Sequence, residues 1–284
     1  MSFHQKPVTF VSQVNLKVQN LERSLAFYQE VIGLKVYEQT ERTAKLTAEA
    51  KTVLLSLEQP ANAVRKPGRT TGLYHFALLL PDRIELAKIL KHLVQVGYPL
   101  QGASDHLVSE ALYLGDPDGN GIEIYTDRPA SEWEWNGDQV VMATQALDAE
   151  GLLALGNDET WNGLPAGTVM GHIHLHVSEL ADTEKFYTKG LGFKVVSRYG
   201  PQALFISSGK YHHHIGLNTW NGAGAPQPPA NSAGLESYTL VFPDQESVKA
   251  TIGRLKDIGA SVTEEMGAFV TADPSGNRIK LVTE

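Results

Sequence analysis

Six of the ten histidines fall in two short segments, His172, His174 and His176 in GHIHLHV and His212, His213 and His214 in YHHHIGLN. Imidazole changes charge near neutral pH and is the commonest metal ligand, so these runs are where the chain can do chemistry. There is no cysteine, which removes thiolate nucleophiles, disulfides and thiolate zinc sites. Any divalent metal must therefore sit on His and carboxylate. His75 in GLYHF and Glu123 in DPDGNGIEIY are further candidates of the right type. A histidine on an apolar strand is ordinarily a packed core residue, so spacing has to add what type alone does not give.

The run from His172 to Val177 alternates polar and apolar, and period 2 predicts a strand with three imidazoles on one face. Residues i and i+4 on a strand lie about 13 Å apart, so one of the three binds a metal and the others line the pocket or form hydrogen bonds. A helix is expected next, with Asp182 as N-cap, Leu180, Tyr187 and Leu191 on its apolar face and Gly192 as its stop. The same pattern occurs earlier in Asn20, Leu21, Phe27, Tyr28 and Gly33.

That correspondence is an internal repeat. Residues 11–36 lie over 170–195 at an offset of 159, residues 71–82 over 233–244 at 162, and residues 116–124 over 273–281 at 157. Leu86, Ile89, Leu90 and Leu93, and likewise Val248, Ile252 and Leu255, recur at helical spacing and are stopped by Gly97 and Gly259. Short β-rich runs such as KVYEQT, TAKLTA and TVLLSLE follow each helix, giving four β-α-β-β-β units. The fold class expected is α+β: four βαβββ modules forming two cup-shaped mixed β-sheets with helices outside. A chain of 284 residues suits two domains, placed at 8–130 and 168–284. The connector, 131–167, carries Trp135, Trp161 and a short helix around LDAEGLLALG; Trp133 and the other two tryptophans are expected to pack against the domains.

A formal charge of −8 argues against an electrostatic grip on nucleic acid or anionic lipid. The sequence has neither a signal-type leader nor a run of 18 apolar residues, so a soluble, cytoplasmic protein with no membrane partner is expected. Homo-oligomerisation is left open.

Four βαβββ units, the FY-x4-LG pattern of Phe186, Tyr187, Leu191 and Gly192, GLYH at 72–75 and DPDGNGIE at 116–123 resemble the vicinal oxygen chelate superfamily. That superfamily holds glyoxalase I, antibiotic resistance proteins and extradiol ring-cleaving dioxygenases. GHIHLHV with YHHHIGLN looks most like its catechol 2,3-dioxygenases of the short Bacillus type. The resemblance implies metal ligands at fixed places in the first and last strands of the units. Here those places hold Gln13, His75, His172 and Ser237 in the first strands, and Ser56, Glu123, Gly216 and Lys280 in the last. Only His75, Glu123 and His172 suit a divalent cation, and they combine only if the second unit pairs with the third across the connector. Two His and one carboxylate form the facial set that leaves positions open on Fe(II) for a small aromatic substrate and O2; Mn(II) suits the same set.

The resemblance further implies a Tyr ten residues before the ligand Glu, which Tyr113 matches, and an acid/base His in the last strand of the third unit, placed at His214. His106 matches a further His that touches dioxygen or substrate. Units one and four are expected to be structural. The implied activity is extradiol opening of catechol or a substituted catechol. The alternatives on the same scaffold are a glyoxalase-like isomerase or lyase, which needs a fourth ligand, and a non-enzymatic drug-binding protein.

Overall fold

The structure is a computed structural model that describes residues 3–156, 160–265 and 267–283. Residues 157–159 of the expected connector and Glu284 at the end of the expected second segment lie outside the described residues. Module 1 comprises β1 (Phe10–Lys17), α1 (Leu21–Glu30), β2 (Lys35–Gln39), β3 (Thr43–Thr47) and β4 (Val53–Glu58). Module 2 comprises β5 (Gly72–Leu79), α2 (Arg83–Gln95), β6 (Gly102–Asp105), β7 (Ser109–Gly115) and β8 (Gly121–Asp127). Between the halves lie a 3-10 turn (Ala130–Glu132), β9 (Trp135–Asn136), β10 (Gln139–Val140), β11 (Gln145–Ala146) and α3 (Ala149–Leu155). Module 3 has β12 (Val169–His176), α4 (Ala181–Lys185), β13 (Lys194–Tyr199), β14 (Ala203–Ser207) and β15 (Ile215–Asn218). Module 4 has β16 (Gly234–Phe242), α5 (Gln245–Asp257), β17 (Val262–Glu265), β18 (Ala268–Ala272) and β19 (Arg278–Thr283). The fold is α+β, with cup-shaped mixed sheets.

In every module the first strand runs parallel to the last: β1 with β4, β5 with β8, β12 with β15 and β16 with β19. The helix after the first strand supplies the crossover that a parallel pair requires. The modules then join across the sequence halves. β5 pairs antiparallel with β12, which makes one sheet of nine strands, β11-β6-β7-β8-β5-β12-β15-β14-β13. β1 pairs antiparallel with β16 and makes a sheet of eight, β17-β18-β19-β16-β1-β4-β3-β2. Module 2 thus shares a sheet with module 3, and module 1 with module 4.

The helix signals act as read, with one correction. Asn20 caps α1 by accepting the Arg23 N–H, and α2 buries Leu86, Ile89 and Leu93, each worth about 1.5–3 kcal/mol of apolar burial. Gly97 and Gly259 end α2 and α5 at φ of +67° and +83°, a conformation in which a Cβ is strained. Asp182, however, lies inside α4. The cap is the Glu179 carboxylate, which accepts the N–H groups of Ala181 at 2.8 Å and Asp182 at 3.0 Å. Glu179 is also the residue that the 159-residue offset places opposite Asn20. The helix continues as a π-turn over Phe186–Gly190.

The connector is part of the fold. β11 pairs with β6 at one edge of the nine-stranded sheet, Trp133 packs on Phe3, Tyr211 and His212, and Trp161 stacks on His92 at 4.8 Å. Among the described residues no helix is long and apolar enough to cross a membrane.

Candidate metal centre

Register brings His75, Glu123 and His172 together. Ala77 on β5 lies opposite Glu123 on β8 and opposite His172 on β12. Directly opposed residues share a sheet face, and His75, two residues before Ala77, shares it too. The two longer side chains therefore converge over the small Ala77 from either side, with His75 closing the third side. Glu123 Oε2 stands 3.1 Å from Nε2 of His172 and 3.1 Å from Nε2 of His75, and one ligating atom from each residue lies within 4.8 Å of the others. All three residues are buried.

Two imidazole nitrogens aimed at one carboxylate oxygen are a donor set for a divalent cation. His75 Nε2, although buried and close to Glu123, has no hydrogen-bond partner among the described residues. Such an orphaned nitrogen is costly unless something outside the chain satisfies it. Burial alone would raise the Glu123 pKa, but the charge and hydrogen bond of His172, and then the nearby His75, hold it well below the usual carboxylate range. Burial lowers the pKa of His172 against the opposing pull of Glu123. An ionised carboxylate beside a neutral imidazole is the state that ligation requires. The residues fit a divalent metal.

The histidines that share the His172 strand have other partners. His174 lies opposite His75 and receives the Asn218 amide N–H on its Nε2 at 3.0 Å, while His176 donates from Nδ1 to Asn218 Oδ1 at 2.7 Å. A Cβ on Gly216 would come within 2.8 Å of the His174 ring, so the last-strand place of module 3 is occupied by an imidazole from the neighbouring strand and has no room for a ligand of its own.

His75 and Glu123 line a cleft of about 520 Å3, and His172 is buried beside them. Tyr113, opposite Glu123 on β7, and His106, just before β7, line it. His106 Nδ1 donates to Ala143 O at 2.7 Å, which leaves Nε2 to accept the Tyr113 hydroxyl at 2.7 Å. Burial, and then the negative charge of Glu123, raise the Tyr113 pKa well above its ordinary value. Ala143 belongs to the connector, whose Met142, Ala143 and Thr144 form one wall, a role that no motif in the connector signals. Tyr74, Phe205 and Trp220 supply an aromatic side, and Tyr74 and Trp220 are half open to solvent at the rim.

His214 is not in the cleft. It is fully buried, with Nε2 donating to Phe3 O at 3.1 Å and Nδ1 accepting the Ser208 N–H at 3.3 Å. The imidazole that does line the cleft is His213, whose ring centroid lies 4.2 Å from that of His172. The chain bends at His212 and His214 and becomes a strand only at Ile215, so period 2 cannot be carried back into the triplet. Nor is Glu123 a surface carboxylate for Arg128, which bonds Asp105 at 2.6 Å.

The sequence pattern of the Glyoxalase/Bleomycin resistance protein/Dioxygenase superfamily matches residues 11–124 and 169–281, the two halves of the repeat. A protein of Bacillus subtilis (strain 168) named catechol-2,3-dioxygenase is 51% identical over 278 residues, covering 96% of this chain and 97% of that protein. Glyoxalase I from Zea mays superposes with a TM-score of 0.60 at 16% identity, over 96% of this chain and 92% of its own. The cppA protein from Streptococcus pneumoniae TIGR4 does so with a TM-score of 0.57 at 11% identity, over 98% and 100%. At those identities the superpositions speak for the shared architecture of paired modules. With the repeat, the parallel first and last strands and the matched pattern in agreement, the chain belongs to the glyoxalase/bleomycin resistance protein/dioxygenase superfamily.

Proposed function

We infer that the chain is a catechol 2,3-dioxygenase, a metal-dependent oxidoreductase that opens the ring of catechol or a substituted catechol with O2 by extradiol cleavage. The observation that carries the reading is the buried His75–Glu123–His172 set, of which His75 and Glu123 line a cleft, in a chain half identical to a catechol-2,3-dioxygenase. His75, Glu123 and His172 would hold Fe(II). Mn(II) is a competitor for the same donors. When bound, ferrous iron supplies the Lewis acidity that makes a catechol hydroxyl ionisable and the redox contact with O2.

The chain's own groups do the rest. Burial, with the neighbouring His172 next, lowers the His213 pKa well below the ordinary imidazole value, so His213 enters the reaction neutral and able to accept a hydroxyl proton. His106 takes the Tyr113 hydroxyl hydrogen at 2.7 Å, which turns the Tyr113 oxygen's free lone pair to a substrate hydroxyl in the cleft. Tyr74, Phe205 and Trp220 receive the ring. An engineered cavity of about 150 Å3 holds benzene, so a cleft of about 520 Å3 leaves room for a ring substituent.

A glyoxalase-like isomerase is disfavoured by the His174 ring beside Gly216, which leaves no space for a fourth ligand there. A drug-binding protein has no use for a buried orphan nitrogen beside a buried carboxylate. The test is oxygen uptake by the Fe(II)-loaded chain on addition of catechol, with the ring-opened product identified. Stoichiometric uptake is expected, and Fe(II) binding without uptake on any catechol would refute the reading.

A further inference from the structure

His213 does not stand alone. Its Nδ1 lies 2.8 Å from Nδ1 of His212, and Nε2 of His212 lies 2.8 Å from Oδ1 of Asp127, at the end of the strand that carries Glu123. Two neutral imidazoles can share such a contact only if one nitrogen carries the hydrogen and the other a lone pair. The carboxylate decides which. Asp127 accepts only, so Nε2 of His212 carries the hydrogen aimed at it, and in that single-proton tautomer its Nδ1 is bare. The hydrogen between the rings then belongs to Nδ1 of His213. Its remaining nitrogen, Nε2, makes no hydrogen bond to the described residues and carries a lone pair, on a ring that lines the cleft.

We propose that Asp127 and His212 are positioning residues that fix His213 in the tautomer whose Nε2 lone pair faces the substrate. The proposal rests on His213 being the proton acceptor of the ring-cleaving reaction. Without the pair, His213 can place its hydrogen on Nε2 and meet the substrate hydroxyl with a donor. It would then bind the substrate but could not take its proton. The pair is itself held. Asp127 Oδ1 also accepts the Tyr211 hydroxyl at 3.2 Å, and Trp133 and Tyr211 pack on the His212 ring. His212 is fully buried, so no solvent competes for its nitrogens.

The experiment compares Asp127→Ala, His212→Leu and His212→Asn in the full-length Fe(II)-loaded enzyme, with Gln13→Ala in the other sheet as the control. Asp127→Ala and His212→Leu are expected to lower kcat about 10- to 100-fold with KM within about threefold, the usual effect of losing an orienting partner. His212→Asn, whose amide oxygen can accept from His213 Nδ1, should recover most of the loss, and Gln13→Ala should keep nearly wild-type kcat. Histidine ring-nitrogen NMR shifts of the Zn(II)-loaded proteins give a readout independent of turnover. His213 should be protonated on Nδ1 in the wild type and in His212→Asn, and on a mixture of nitrogens in Asp127→Ala and His212→Leu.

Wild-type kcat in Asp127→Ala and His212→Leu, an unchanged His213 tautomer in both, or a loss in Gln13→Ala as large as in Asp127→Ala would overturn the proposal. His213→Gln separates the two layers. If it turns over normally, the proton-acceptor reading fails and the positioning role falls with it. If it loses about 100-fold while Asp127→Ala and His212→Leu do not, the acceptor stands and only the positioning is wrong.

Discussion

His172 and Glu123 flank Ala77 in the nine-stranded sheet, and Gln13 and Lys280 flank Thr239 at the same register in the eight-stranded one. Ser237 stands two residues before Thr239 as His75 stands before Ala77, and Asn15 faces Ser237 as His174 faces His75. The backbone frames are equivalent, yet only one is a candidate site. In the eight-stranded sheet the amide of Gln13 donates to Asn15 at 2.7 Å and to Ser56 at 2.8 Å, and Asn15 donates to Ser237 at 3.0 Å. Those polar groups satisfy one another, and an ammonium stands where the other sheet has a carboxylate. In the nine-stranded sheet the imidazoles of His75 and His172 both face Glu123, and one of their inward nitrogens has no partner. The fold therefore supplies the geometry twice, and three side chains decide which copy can take a cation.

The largest expected effect breaks this contrast directly. His75→Ala, Glu123→Ala and His172→Ala should each abolish stoichiometric metal binding and ring cleavage, while Gln13→Ala, Ser237→Ala and Lys280→Ala leave metal content unchanged by elemental analysis. Metal loss in Ser237→Ala alone would put the ion in the wrong sheet.

Within the nine-stranded sheet, His213→Phe should keep the metal and lose about 100-fold in kcat. His214→Phe should instead destabilise the fold by about 1–3 kcal/mol, since it removes the hydrogen bond from a fully buried imidazole to the Phe3 carbonyl, with kcat changed little in the folded fraction. Urea unfolding and steady-state kinetics on both variants separate the roles.

Ala77→Leu places an isobutyl group where the candidate ligands converge, and its overpacking cost is about 1–3 kcal/mol. Fe(II) affinity should fall at least about tenfold, the lower end expected for disturbing ligand orientation. The matched change at Thr239, to Leu, should not affect Fe(II) affinity.

The smallest effect is on acid stability. Burial, the first cause at each, lowers His4 and His176 to pKa values of about 4 from the ordinary 6.5. The unfolded chain therefore binds more protons than the folded one between these values. Stability is fully present above pH 6.5 and is lost as pH falls toward 4, by up to about 3 kcal/mol for each group. Urea midpoints of the metal-free chain measured across that window should fall. His176→Asn should flatten part of the slope.

The repeat made much of this legible. The ligand places are those that the family resemblance implies, the repeat shows their counterparts in each module, and the chemistry of the occupants selects His75, Glu123 and His172. Those three combine only when modules 2 and 3 share a sheet. What failed were features that depend on local chain path rather than on repeat. Three adjacent histidines have no phase of their own, so which one enters the cleft depended on where β15 begins. The capping role of Glu179 was hidden because Asp is the commoner cap, although the offset pointed to it. The Asp127–His212 contact joins residues 85 positions apart, and nothing in the YHHHIGLN run points to Asp127. The connector wall was invisible because nothing in the repeat corresponds to it.

Anomalous diffraction at the iron edge, on crystals of the full chain loaded anaerobically with Fe(II), tests the central claim most directly. The account predicts a single strong peak bounded by His75, Glu123 and His172 and no peak at Gln13, Ser237 and Lys280. A peak in the eight-stranded sheet, or one that contacts fewer than all three of the named residues, would contradict it.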